Sequence, residues 1–143
     1  MPDITRYYVS MVHCKVELGE DVDRPNYLMV LKASDSKAYK ATDVTGVRVI
    51  GVNNDGAIGE TGDNIIVQGG IYGFYNDTGT GALTKADIGT VCFVKDSYTV
   101  TNSTGSTNLV MVGRVMDVDE ASDRVYVECP IADYSGIYEQ YSS

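Results

Sequence analysis

An Asp-Thr-Gly tripeptide that begins at Asp77 is the clearest candidate for chemistry in the sequence. Aspartic proteases bring two such aspartates together so that the carboxyl groups share a proton, and a chain with one copy would need a symmetric dimer. The flanking Asn76 and the Thr-Gly pair at 80–81 predict a flexible surface loop rather than an apolar strand. An Asp77-dependent hydrolase is therefore only a remote alternative.

Four carboxylates crowd one predicted turn, at Asp117, Asp119, Glu120 and Asp123. Hard oxygen ligands of this kind could bind a calcium ion weakly. Their spacing matches no known calcium-loop signature, so the favoured interpretation is a solvated hairpin tip. An ion at this turn stays an open alternative, but we predict neither a metal nor a cofactor.

Thiol chemistry has little support in the sequence. His13 and Cys14 are neighbours on a predicted strand, where successive side chains point to opposite faces. A pair of His13 with Cys92 or Cys129 through space stays an open alternative to a surface or packed histidine. Cys92 and Cys129 lie within apolar strand patterns, which predicts buried free thiols that behave as small hydrophobic groups. The sequence contains neither a Gly-x-Ser-x-Gly elbow nor a Gly-rich phosphate loop. We therefore expect no catalytic residues and a protein that is not an enzyme.

Length, net charge and cysteine content limit the kinds of protein and partner that this sequence can represent. The chain has 143 residues and a formal net charge of −9, which predicts one domain spanning 1–143 and argues against nucleic acid or an anionic membrane as a partner. No apolar run approaches the length of a membrane span. No secretory signal pattern precedes the first strand, and unpaired cysteines suit folding in a reducing cytoplasm.

Short apolar segments separated by turn residues predict an all-β fold, a small β-barrel or β-sandwich. We expect strands at 5–16, 27–31, 47–52, 65–68, 71–75, 91–94, 98–101, 109–118 and 124–129, with a short edge strand within 33–40. The segment 27–31 is continuously apolar, so it should be buried on both faces.

Turn residues predict how several of these strands are connected. The Gly69-Gly70 pair could form a two-residue hairpin turn. Thr84, followed by Asp87 three residues later, predicts one short capped helical turn around 83–88, which Gly89 would end. Gly113 inside a long strand suggests a bulge or a close neighbouring backbone.

The two ends of the chain are candidate arms for contacting a partner. They are the predicted N-terminal strand at about 5–16 and the tyrosine-rich tail at 131–143, which is too short and too polar for an independent core element. Aromatic side chains often dominate the binding energy of interfaces. The candidate partner contacts are Tyr7, Tyr8, Tyr134, Tyr138 and Tyr141.

A series of short motifs follows in a distinctive order from residue 47 onward. They are Val-Ile-Gly-Val at 49–52, Gly-Glu-Thr-Gly-Asp at 59–63, Val-Gln-Gly-Gly-Ile-Tyr-Gly at 67–73, Leu-Thr-Lys-Ala-Asp-Ile-Gly at 83–89, Tyr-Thr-Val-Thr at 98–101, Val-Gly-Arg-Val at 112–115 and Val-Tyr-Val at 125–127. Over about residues 47–128 the chain resembles the capsid decoration, or head cement, proteins of tailed bacteriophages.

This resemblance implies a structural virion protein without catalysis, synthesised in the bacterial host cytoplasm and added to the capsid exterior. It implies the major capsid protein as partner and a homotrimer at threefold sites as the favoured assembly. The alternative is another virion or surface β-domain that binds a tail component, a receptor or a glycan. Sequons at Asn76 and Asn102, Gly/Thr-rich loops and tyrosines would suit sugar contacts.

Overall fold

The computed structural model describes residues 13–53 and 58–130. The predicted strand at 5–16 is therefore described only from His13 onward. The candidate contacts Tyr7, Tyr8, Tyr134, Tyr138 and Tyr141 all lie outside the described residues.

The described chain is mostly β-structure, which confirms the predicted all-β class. Its strands are β1 (His13–Glu17), β2 (Leu28–Lys32), β3 (Ala38–Lys40), β4 (Val47–Asn53), β5 (Asn64–Gln68), β6 (Gly70–Asn76), β7 (Val91–Val94), β8 (Thr99–Thr101), β9 (Met111–Asp119) and β10 (Arg124–Cys129). Two 3₁₀ helices span Gly79–Gly81 and Lys85–Asp87.

The strands form an open sheet and a closed barrel. The sheet has five strands in the order β1-β5-β4-β2-β3, and the barrel closes in the order β10-β6-β8-β7-β9. Among the described strands, β6 and β8 pair in parallel and the other pairs are antiparallel. The short strand predicted within 33–40 is β3, and it lies at the edge of the sheet as expected.

The Gly69-Gly70 pair does not form a hairpin turn, so that prediction is wrong. Gln68 pairs with His13 and Val52 in the sheet, whereas Gly70 pairs with Cys129 in the barrel. The two glycines therefore connect the sheet to the barrel. Gly70 has a φ of 153°. Glycine supplies the unusual backbone angles for either route, and the choice of route depends on distant partner strands.

Two apolar clusters lie on opposite faces of β2. Leu28 and Val30 belong to the larger cluster, which includes barrel residues such as Val127, and Met29 belongs to the smaller one. Fully burying each such side chain contributes roughly 1.5–3 kcal/mol. The prediction that 27–31 is buried on both faces is thus confirmed from Tyr27 to Val30, and the larger cluster joins sheet and barrel into one core.

Asp43 fastens the loop before β4 of the sheet to the loop before β9 of the barrel. Its carboxylate accepts hydrogen bonds from the backbone amides of Thr107 and Asn108 at 2.7 and 2.9 Å. The Nδ2 group of Asn108 returns a bond to the Asp43 carbonyl at 2.8 Å. These bonds span more than 60 residues of sequence, and no local pattern marks them.

The predicted helical turn is present as the 3₁₀ helix Lys85–Asp87. Thr84 Oγ1 accepts a bond from the Ala86 amide, and the Asp87 carboxylate accepts one from the Thr84 amide at 2.8 Å. This reciprocal pair is the capping box that the spacing predicts. Gly89 follows with a φ of 92° and donates its amide to the Val115 carbonyl, which attaches the turn to β9.

The hairpin of β9 and β10 confirms the prediction for Gly113. A Cβ atom at this position would overlap the carbonyl oxygen of Glu128 on β10. Glycine is therefore needed there for a close backbone approach. The pairing of β9 with β10 shifts register at Met116, because Tyr126 opposes Asp117 and Val127 opposes Val115.

Candidate binding surface

Asp77 lies in the loop after β6, where it holds neighbouring segments together. Its Oδ2 atom accepts a hydrogen bond from Thr101 Oγ1 at 2.8 Å and lies 3.7 Å from Lys95 Nζ. A Cβ atom on Gly81 or Gly105 would overlap this carboxylate oxygen. The carboxylate is thus packed between two glycine-containing loops and the β8 strand, an arrangement that suits loop positioning.

The carboxylates of the predicted acidic turn bond locally. Asp119 Oδ1 accepts the Ala121 amide at 3.1 Å, and hydrogen bonds led by the Ser122 side chain lower the pKa of Asp119. Asp117 lies 3.3 Å from Lys85 Nζ. Within residues 13–53 and 58–130, no group of three or more His, Cys, Asp or Glu side chains could hold a metal ion.

A second acidic segment, at 20–23, is fastened to the sheet. Glu20 accepts the Lys40 amide at 2.7 Å, Asp21 accepts the amide and hydroxyl of Thr61, and Asp23 accepts the hydroxyl of Tyr27. The bond from the Thr61 amide is the main cause of a lowered pKa at Asp21. These bonds were not predictable from a run of acidic residues.

The three cysteines are free, as expected, and two of them are buried. Burial raises the pKa of Cys92 to about 12, and burial also raises the pKa of Cys129 well above its ordinary value. A thiolate is the reactive form of cysteine, so at neutral pH these two thiols act as apolar packing groups. Cys14 is half-buried in β1.

The outward side of β6, β10 and β9 presents a mixed apolar and charged surface. We call this surface the outer barrel face; its members are Ile71, Arg114, Met116, Asp117, Tyr126 and Glu128. Ile71 is 58% exposed, and Tyr126 and Met116 are also exposed. Alternation along β6 and β10 places these side chains outside the barrel, opposite the buried Phe74 and Val127.

Tyr126 has a defined place on this face. It is the β10 partner of Gly73 on β6, and a Cβ atom on Gly73 would lie 3.0 Å from the Tyr126 ring. The ring therefore lies over the strand where the neighbouring residue has no side chain, which keeps a wide aromatic surface flat against the barrel.

A groove of about 420 Å³ lies beside the outer barrel face, between β6 and β10 and the loop that precedes β2. We call it the tyrosine–arginine groove; its principal lining residues are Arg24, Tyr27, Tyr72, Tyr75, Tyr98 and Arg124. Small-ligand and peptide-anchor sites commonly have volumes of roughly 300–1,000 Å³.

Aromatic rings and guanidinium groups are stacked in this groove. Tyr75 and Tyr98 are 47% and 49% exposed, and their rings meet edge to face with centroids 6.1 Å apart. The Arg124 guanidinium lies 4.2 Å from the centroid of Tyr75, and that of Arg24 lies 5.5 Å from the centroid of Tyr27. Cation–π contacts hold both cations in place.

Sequence reasoning did not identify this groove, because its members are distant along the chain. Arg24 precedes Arg124 by 100 residues, and Tyr75 comes next to Tyr98 only because β6 pairs in parallel with β8. The alternation of Arg124 and Tyr126 with buried valines was the one local signal of an outward aromatic and basic row.

No protein-family model matches the chain, and no curated protein or solved structure shows significant similarity to it. Among the residues that the structure describes, none belongs to a helix long and apolar enough to cross a membrane.

Proposed function

We propose that this protein is a capsid decoration protein, which binds the exterior of an assembled bacteriophage shell and stabilises it without catalysis. The partner would be the major capsid protein, and the assembly would be a homotrimer at threefold sites of the virion. The order of motifs from residue 47 to residue 127 supports the family, and the outer barrel face supports a binding role.

The observation that carries the proposal is the exposed apolar and aromatic area on this face. Ile71, Met116 and Tyr126 lie on adjacent strands, and their exposed side chains do not pack into the barrel core. Aromatic residues, methionine and arginine are enriched in protein interfaces. Asp117, Glu128 and Arg114 around them would supply the polar rim that sets register with a partner.

Repetition makes such a surface effective even when each contact is weak. A shell offers many identical sites, and an oligomer that engages several of them gains avidity without any new contact. A symmetric oligomer also suits a symmetric site. The net charge of −9 keeps unbound copies apart in solution.

Sedimentation with purified shells tests this proposal. The probe is expanded, undecorated shells assembled from the major capsid protein of the same virus, pelleted through a sucrose cushion with increasing amounts of the native chain. We expect saturable binding at a constant number of copies per shell, and decorated shells that withstand higher temperature or lower salt. If the amount pelleted with shells equals the amount pelleted without them, the proposal fails.

A further inference from the structure

The tyrosine–arginine groove collects cationic side chains in a strongly acidic chain. The protein carries 11 Lys and Arg against 20 Asp and Glu, yet Arg24 and Arg124 line one groove together. Among the described residues, the ion pairs within 4.0 Å join Lys37 to Glu17, Lys85 to Asp117 and Lys95 to Asp77, and Arg124 belongs to none of them.

The Arg124 guanidinium stacks on an aromatic ring and, among the described residues, forms no ion pair within 4.0 Å, although Asp119 is its register partner on β9. Its central carbon lies 4.2 Å from the centroid of the Tyr75 ring, and a guanidinium stacked on a ring can still donate two N–H groups to one carboxylate. Arg24 differs, because it donates Nε–H to the Tyr27 hydroxyl at 3.0 Å and lies near Asp23. The groove therefore fits a ligand that brings carboxylate and aromatic groups together.

The sequence contains such a ligand. Residues 131–143 include Asp133 and Glu139, three tyrosines, and neither lysine nor arginine. Tyrosine and arginine are the side chains that most often anchor interfaces, and such anchors tend to pair across them. Charge complementarity between this segment and the groove is thus accompanied by aromatic complementarity.

The position of the groove favours a neighbouring copy as the source of the segment. Cys129, at the end of β10, pairs with Gly70, whereas Arg124 pairs with Tyr75 at the other end of the same strands. The barrel between these two ends is closed, so it offers no free strand edge with which a returning segment could pair. Thirteen extended residues span at most about 47 Å, enough to reach an adjacent subunit.

We propose that the tyrosine–arginine groove binds residues 131–143 of a second copy of this chain. In a closed ring each subunit would give one such segment and receive one, so the contact would be repeated at every interface. This inference deepens the proposed function, on which it rests for the expectation of an oligomer. It assigns the subunit contact to the groove and leaves the outer barrel face for the shell.

A charge-exchange experiment on the full chain tests the contact. One variant reverses the groove, Arg124→Glu, and a second reverses the segment, Asp133→Arg with Glu139→Arg. Losing a charge-assisted hydrogen bond should weaken association about tenfold or more in each variant alone. A third variant with all three substitutions in one chain should recover the native mass, because in a ring of identical subunits each reversed segment then meets a reversed groove. Mixed in equal amounts, the first two variants should associate only partly, because a ring of three leaves one mismatched contact. The readout is solution mass by sedimentation equilibrium.

Two further variants serve as a milder substitution and as a control. Arg124→Gln removes the charge without reversing it, so it tests the groove if Arg124→Glu does not fold, and should weaken association to a smaller extent. Arg48→Glu reverses an exposed arginine of β4 in the sheet and should leave the native mass unchanged. Thermal unfolding of every variant reports whether it is folded.

The contact between copies is refuted if the native chain is a monomer at every concentration, if Arg124→Glu keeps the native mass, or if the variant with all three substitutions stays dissociated. Recovery by the variant with all three substitutions, with no association at all in the mixture, would place the segment in its own groove and would also refute it. Shell sedimentation is scored separately. Shell binding by the native chain with no recovery by the variant with all three substitutions would overturn this inference alone, and recovery without shell binding would overturn the proposed function alone.

Discussion

The sheet and the barrel use their polar and apolar side chains differently. In the sheet, the acidic segment at 20–23 bonds to neighbouring backbone and hydroxyl groups, and the exposed Ile66 on β5 stands opposite Lys15. In the barrel, Ile71, Tyr126 and Met116 lie together on the surface, next to the exposed Tyr75 and Tyr98. Scattered apolar residues are normal on protein surfaces, whereas grouped ones indicate binding. This difference is consistent with a structural role for the acidic loops and supports the proposed binding role of the barrel.

Removing a large core side chain from the barrel should have the largest effect. Phe74→Ala empties a buried site on β6, and we expect the free energy of unfolding to fall by about 3–5 kcal/mol. Leu18→Ala, in the smaller cluster of the sheet, should cost about 2–5 kcal/mol. Urea unfolding followed by tyrosine fluorescence and far-ultraviolet circular dichroism measures both. Because the larger cluster is shared, each variant should unfold in one transition, and two separate transitions would show that the bodies are independent.

The second-largest loss of stability is expected when a side chain is added where the β9 and β10 backbones lie closest together. In Gly113→Ala the new methyl group meets the backbone carbonyl of Glu128, which cannot move without disturbing the barrel. We expect a loss of about 1–3 kcal/mol. The matched control is Gly73→Ala, where the neighbour is the ring of the exposed Tyr126. That ring can rotate away, so the control should lose less stability; equal losses would argue against the rigid contact at Gly113.

The hydrogen bonds that join Asp43 of the sheet to the loop before β9 of the barrel should make the free energy of unfolding depend on pH. Partial burial raises the pKa of Asp43, but the bonds from Thr107 and Asn108 outweigh it and hold this pKa below 3.8. A depressed folded pKa stabilises the protein above the unfolded value, and this contribution is lost as the pH falls through the folded pKa. Asp43→Asn should lower the unfolding free energy at pH 7 by about 1–3 kcal/mol.

The same variant should show a flatter decline in acid than the native chain. Chemical unfolding at a series of pH values from neutral to below 3.8 measures this difference. If the native chain and Asp43→Asn lose stability in parallel through that range, the carboxylate does not contribute as described.

A surface ion pair of the sheet should have the smallest effect. Lys37 Nζ lies 3.2 Å from a Glu17 carboxylate oxygen, and both side chains are well exposed. Exposed pairs contribute about 0–1 kcal/mol, so Lys37→Gln should shift the urea midpoint only slightly. A shift as large as that of Asp43→Asn would mean that the edge strand β3 depends on this pair.

Local sequence patterns predicted the strands but not their partners. Alternation in β10 and the apolar run of β2 mark buried positions through neighbours in sequence. The capping box at Thr84 and the close approach at Gly113 also depend on local chemistry. The Gly69-Gly70 pair shows the limit of local patterns, because the same turn residues can form a hairpin or connect the sheet to the barrel.

The candidate binding surfaces were harder to predict, since they are assembled from distant segments. Arg24, Tyr75 and Arg124 meet only when the barrel closes beside the sheet. The tyrosines selected from the sequence lie at 7–8 and 134–141, outside the described residues, and their partner contacts stay predictions. Exposed Tyr75, Tyr98 and Tyr126 could be recognised as surface residues only from the fold.

The central claim is that the outer barrel face binds the shell, and two matched isoleucines test it directly. Ile71 on this face is 58% exposed and Ile66 on the sheet is 50% exposed. Saturation binding to expanded shells should be compared for Ile71→Ser and Ile66→Ser, with unfolding curves to confirm that both are folded. We predict that Ile71→Ser weakens shell binding severalfold and that Ile66→Ser binds as the native chain does. Native binding by Ile71→Ser, or an equal loss in both variants, would contradict the claim.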